Sequence, residues 1–186
     1  GAFDAVLVVP GDEVLRYRML ETIKAYALER LDEAGEREAI RGAHATYFVE
    51  LAETAEPHLR SAEQLVWLRR LKADHDNLNA ALRGSIAAGD AQTAVHLVAA
   101  AGWYWWLGGH KAEAMELATE ALAVPGAADD EARATAYAIV AWFASAGLGG
   151  LEQAEPWIRS VQELTKGIDH PGPLLRHVVE MGALMQ

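Results

Sequence analysis

Apolar positions along this chain change rhythm once, near residue 19. Ala5–Val9 is a short apolar run, and in Val14–Arg18 the residues Val14, Arg16 and Arg18 alternate with Leu15 and Tyr17 at a period of two. Between them stands Pro10-Gly11-Asp12-Glu13, in which Pro fixes φ and Gly supplies a positive φ. The pattern predicts a β-hairpin, which is marginal in isolation and needs a helix to lie on. That helix is expected from about Met19 to Ala34. Leu20, Ile23, Ala27 and Leu31 recur at helical spacing, and Gly35 follows as a C-terminal cap.

Beyond Gly35 the beat stays helical. A helix from about Glu36 to Ala55 places Ile40, Ala43, Tyr47, Leu51 and Ala55 on one face, with His44 and Phe48 beside it, and Pro57 as its stop. Ser61-Ala62-Glu63-Gln64 reads as a capping box that opens the next helix. There Leu65, Leu68, Leu71, His75, Leu78 and Leu82 keep helical spacing, with a bend expected around Ala73–Asp76. Further helices are expected over 90–107, 110–123, 129–147, 151–166 and 172–185.

The last third repeats itself. Gly108-Gly109 recurs as Gly149-Gly150, 41 residues later, and each pair is followed by an Ala-Glu step. Ala88-Gly89-Asp90-Ala91 is an earlier echo. A helix–turn–helix period in this range marks a helical solenoid of the tetratricopeptide kind. The fold class read from the chain is therefore all-α, a tetratricopeptide-like helical-repeat solenoid with a short N-terminal β-hairpin. The boundary falls between residues 1–34 (hairpin plus exit helix) and 35–186 (repeat domain).

Composition narrows the function. The chain has 186 residues, 52% of them hydrophobic, and much of that fraction is alanine, which suits closely packed helices. The net charge of −11 opposes phosphate backbones, so direct nucleic-acid binding is not expected. Cysteine is absent, which removes disulfides, thiolate metal sites and cysteine nucleophiles and fits a reducing cytoplasm. No apolar run approaches the length of a membrane span.

Three stretches carry a resemblance. They are Arg16–Leu31 (RYRMLETIKAYALERL), Glu63–Leu68 leading to Asp74–Leu82 (DHDNLNAAL), and Trp103–His110 (WYWWLGGH). In this order they resemble the junction between the winged helix and the helical repeats in bacterial transcription regulators of the STAND ATPase class, the LuxR-type and SARP-type regulators. The resemblance implies a winged-helix end over 1–34 and a sensor arm over 35–186. It also implies a nucleotide-binding domain upstream that holds ATP or ADP, and often a DNA-binding domain. No G-x-x-x-x-G-K-[ST] occurs in the chain, so no cofactor is assigned within it. The implied role is regulatory. The arm would bind a protein partner or small effector, contact the nucleotide-binding core within the same polypeptide, and hold it inactive until engaged. A free-standing helical-repeat scaffold and a small-molecule sensor are the alternatives.

Candidate chemistry concentrates in aromatics. Trp103 and Trp106 share a helix face, from which Tyr104 and Trp105 point away, while Trp142, Phe143 and Trp157 fall in the next repeat. Packing between helices accounts for such residues, but Trp and Tyr are also favoured binding anchors. The partner- or effector-binding candidates are Trp103, Tyr104, Trp106, His110, Trp142, Phe143 and Trp157. His110, directly after Gly108-Gly109, has a turn role as its alternative. No metal site is expected. His75 lies between Asp74 and Asp76, but adjacent helical residues point about 100° apart and cannot converge. No catalytic residue is assigned: Ser61 is explained as a cap, and the acidic Asp129-Asp130-Glu131 suits a helix start. Val178, Val179, Met181 and Leu184 are apolar enough to cover a further surface, so self-association is among the expected contacts.

Overall fold

The computed structural model describes residues 6–9, 16–146 and 150–184. Two short strands, β1 (Val6–Val9) and β2 (Arg16–Met19), pair antiparallel with Val6 opposite Met19 and Val9 opposite Arg16. The turn expected at Pro10–Glu13 lies outside the described residues, as does Gly149 of the second glycine pair. The rest is helical: α1 (Glu21–Ala34), α2 (Arg37–His58), α3 (Gln64–Ala73), α4 (His75–Ala87), α5 (Ala91–Gly108), α6 (Lys111–Ala123), α7 (Asp130–Ser145), α8 (Gly150–Thr165) and α9 (Pro173–Leu184). Among the described residues no helix is long and apolar enough to cross a membrane.

The chain divides into two compact units, residues 1–42 and 43–186. In the first, α1 ends at Gly35, whose φ of 69° is left-handed and costs glycine nothing. Ile23, Ala27, Leu28 and Leu31 form its least exposed side, but no residue of α1 is buried. Ion pairs Arg37–Asp32 and Arg41–Glu38 lie along the exposed surface of this unit.

The second unit holds the core. One apolar cluster joins α2, α3, α4, α5, α6 and α7 through residues such as Phe48, Leu71, Leu82, Val98, Leu117 and Val140. A second joins α7, α8 and α9 through Ala138, Ala141, Ile158, Val161, Leu175 and Val178. Helices pack on their immediate neighbours and on the next but one: α4 on α6, α5 on α7, α7 on α9. The small side chains permit this closeness. At Gly102 of α5 a Cβ would overlap the side chain of Ile139 on α7, so any larger residue there would have to displace Ile139.

Several local expectations are corrected. The buried face of α2 is Ala45, Phe48, Leu51, Ala52 and Ala55, whereas Ile40 and Tyr47 are about half exposed (51% and 52%). Phe48 is the bulkiest apolar side chain available, and burying it turns the helix away from the stripe that begins at Ile40. Pro57 lies within α2, whose last residue is His58; the lost N–H falls in the final turn. The capping box does not form. Ser61 Oγ accepts from the Glu63 N–H and donates to the His58 carbonyl, making a local turn, and α3 begins only at Gln64. Gln64 instead donates to the Leu59 carbonyl at 2.6 Å. The bend expected near Ala73–Asp76 is a break between α3 and α4 at Asp74. Val178 is already buried and Val179 and Met181 pack on the same cluster, so these three serve the chain's own core. The side chain of Leu184 lies outside the described residues.

Candidate functional site

On α5 Trp103 and Trp106 stand three residues apart, with Tyr104 and Trp105 between them. Tyr104 and Trp105 face inward and are fully buried; Trp103 and Trp106 emerge half-buried on the side that meets α7. The ring of Trp142 on α7 lies against both, with centroids 5.1 Å from Trp103 and 4.0 Å from Trp106 and ring planes within 18° and 24° of parallel. Phe143 is buried and adjoins Trp106 and Trp142 at 5.8 and 5.6 Å. Three indoles thus form one stacked shelf across two helices.

Cations cover two of its faces. The Arg60 guanidinium lies 5.1 Å from the Trp103 ring centre, and Lys111 Nζ lies 3.7 Å from that of Trp106. Arg60 also pairs with Glu56. Trp103 Nε1 donates to the Leu59 carbonyl at 3.2 Å, which fixes its ring orientation. Beside Trp103 and Trp142 a cavity of about 190 Å³ opens, lined also by Arg60, Ile139, Pro173 and Leu174. Pockets that enclose drug-sized ligands run to roughly 300–1,000 Å³. This one accommodates a single side chain or a very small molecule.

The remaining candidates are distributed otherwise. Tyr104 is fully buried and cannot touch a partner, a correction to its place among the binding residues. Phe143 likewise supports the shelf from the core rather than offering a surface. Trp157 is half-buried and stacks on Tyr137 at 5.9 Å. The Trp105 indole N–H is buried without a partner among the described residues.

His110 belongs to a second constellation. Tyr104 turns its hydroxyl to His75 Nδ1 at 2.9 Å, and His75 Nε2 meets Glu113 Oε2 at 3.0 Å. Arg83 donates to the other Glu113 oxygen at 3.1 Å. The rings of His75 and His110 stack with centroids 4.0 Å apart. Gly108 makes room for the His110 ring, since a Cβ there would lie 2.7 Å from His110 Cδ2. Burial pushes the Tyr104 hydroxyl far above its ordinary range, helped by the charges of Glu113 and Asp76. Burial, followed by the neighbouring His75, lowers the pKa of His110. At Glu113 burial acts to raise the pKa, but the hydrogen bonds from Arg83 and His75 outweigh it and bring it below the ordinary value.

His75, Asn79, Arg83 and Glu113 were not legible as a group. In the sequence His75 stands between Asp74 and Asp76, whereas Tyr104, His110 and Glu113, which meet its ring, lie on or beside α5 and α6, and only Asn79 and Arg83 share α4 with it. The available signals were the i, i+3 spacing of His110 and Glu113 and the i, i+4 spacing of His75 and Asn79, each placing two polar groups on one face.

Comparison with known proteins yields distant relatives. The chain is 26% identical over 189 residues to a protein of Mycobacterium tuberculosis (strain H37Rv) named "Putative HTH-type transcriptional regulator", with 96% of this chain and 21% of that protein covered. A protein of the same name in Mycobacterium bovis gives the same values. The chain therefore spans about a fifth of the length of these relatives. No protein-family model matches it, and no solved structure does. The similarity is to transcriptional regulators and is consistent with a regulatory role.

Proposed function

We propose that this chain is the regulatory arm of a multidomain, ATP-dependent transcriptional regulator of the STAND class, LuxR- or SARP-like. In this reading the helices of residues 43–186 form a tetratricopeptide-like solenoid. Its Trp103–Trp142–Trp106 shelf binds a protein partner or small effector and so controls a nucleotide-binding core elsewhere in the polypeptide. The observation that carries the reading is the match along 96% of this chain to proteins named as transcriptional regulators, of which it spans only 21%. Next-but-one helix packing, as α5 on α7 and α7 on α9, supports the solenoid. The small cavity beside the shelf favours an anchor side chain of a protein partner over a large effector. The arm itself binds and does not catalyse, ATP or ADP belongs to the upstream core, and the whole acts in the cytoplasm.

Control of this kind requires the partner to bind two arrangements with different affinity. The test is nucleotide hydrolysis by the full-length regulator carrying Trp106→Phe or Trp142→Phe, which keep an aromatic ring. A changed basal or stimulated rate, with circular dichroism and melting preserved, supports the reading. Unchanged rates in both variants sink the shelf assignment. A native reading frame without a P-loop sinks the ATPase connection and leaves a free-standing scaffold.

A further inference from the structure

We propose that His75, His110 and Glu113 form a binding site for a divalent transition-metal ion of the zinc class. They come from separate places in the chain: His75 opens α4, His110 precedes α6, and Glu113 lies in the first turn of α6. One ligand atom from each lies within 4.8 Å of the others. Two donors bound about 2.1 Å from one zinc ion in a tetrahedron are about 3.4 Å apart. His75 Nε2 and Glu113 Oε2, 3.0 Å apart, already stand near that spacing.

The surroundings have the features of an outer shell. Metal-bound histidines usually engage their second ring nitrogen in a hydrogen bond, and bound carboxylates are themselves held. Here His75 Nδ1 engages the buried Tyr104 hydroxyl, leaving Nε2 toward the centre. Arg83 holds Glu113 Oε1, leaving Oε2 inward. An independent observation is Asn79, only 2% exposed, whose Oδ1 has no hydrogen-bond partner among the described residues. Its Nδ2 lies 3.1 Å from His75 Nε2. Reversing the amide, which preserves its shape, brings that unpartnered oxygen to the centre as a fourth donor. Two imidazoles, a carboxylate and an amide oxygen suit zinc, cobalt(II) or nickel(II), and the lack of thiolate disfavours copper(I).

Binding requires one rearrangement. Stacked imidazoles cannot both aim in-plane lone pairs at one ion, so His110 must turn out of its stack on His75. It is only partly buried and makes no side-chain cap bond, which leaves that rotation available. The metal-free alternative is a structural relay from Tyr104 through His75 to Glu113, in which His110 contributes nothing but packing.

Zinc titration of the purified chain by calorimetry separates the two. The expected result is one zinc per chain. Affinity should fall at least about 10-fold in His110→Ala and in Glu113→Gln, and hold in His96→Ala, a control histidine facing Glu53. Absence of binding, or an affinity unchanged in His110→Ala, overturns the proposal. Cobalt(II) absorption of the unaltered chain gives a reading that no variant's folding can blur. Intensified d–d bands support the site, and the spectrum of the aqueous ion overturns it.

Discussion

Trp142 is flanked by two indoles, and most of what it contributes is contact rather than hydrogen bonding. Truncating a fully buried Trp to Ala costs about 3–5 kcal/mol. Trp142 is half-buried, so Trp142→Ala should lower stability by roughly 2 kcal/mol, read as a lower urea midpoint at unchanged m. A loss below about 0.5 kcal/mol would mean that the shelf is not packed as described. Tyr104 makes a different demand. Its ring fills the core, but its hydroxyl needs His75. Tyr104→Phe keeps the ring and deletes one bond, which should cost about 1 kcal/mol. A double-mutant cycle with His75→Ala checks it: the effect of Tyr104→Phe should vanish once His75 is gone. This pair also shows where sequence reasoning stops. The residues of the shelf were visible because aromatics three apart on a helix share a face. The bond from Tyr104 to His75 spans 29 positions and depends on how α4 meets α5, which no local pattern encodes.

At the scale of elements, helix starts divide into two kinds. Asp90 accepts from the Thr93 N–H at 3.1 Å and Asp129 from the Ala132 N–H at 2.9 Å, so α5 and α7 each begin on a side-chain cap. Replacing either aspartate with Ala should cost about 1 kcal/mol. Ser61 looks like a cap in the sequence but bonds only within its turn. Ser61→Ala should therefore shift the thermal midpoint less than Asp90→Ala or Asp129→Ala does; equal shifts would restore the capping box. Helix existence was legible except at α3 and α4, which read as one bent helix, because the 3.6-residue beat and the glycines at 35, 89 and 109 are local signals. Helix rotation was less so. For α2 the expected face ran through Ile40, Ala43, Tyr47, Leu51 and Ala55, and packing around Phe48 turns it so that Ile40 and Tyr47 stay exposed.

For the whole molecule, burial is unevenly distributed along the chain, and this makes the two ends unequal. No residue of α1 is buried, and every buried apolar residue described lies at Ala45 or beyond. A chain of residues 37–186 keeps α2 entire and retains that whole core. Its unfolding should stay a single cooperative transition, with a stability within about 0.5 kcal/mol of the full chain, since the exposed residues of α1 contribute little. The opposite end behaves otherwise. Helix α9 places Leu175 and Val178 fully into the cluster shared with α7 and α8, and Gly182 sits so close to Ile158 and Gln162 that a Cβ would collide with them. Each such apolar side chain contributes roughly 1.5–3 kcal/mol when buried, so ending the chain before Pro173 forfeits roughly 3–6 kcal/mol and uncovers Ile158 and Val161. Where each helix covers its neighbour, removing α9 exposes the apolar face of α7 and α8 that it covers. Denaturation of the two truncated chains decides the matter: the shorter N-terminus should leave the midpoint in place, while the shorter C-terminus should lower it steeply and promote aggregation. A large loss from the first truncation would show that residues 1–36 stabilise the repeat, and a small loss from the second would place the stabilising core entirely between α2 and α7.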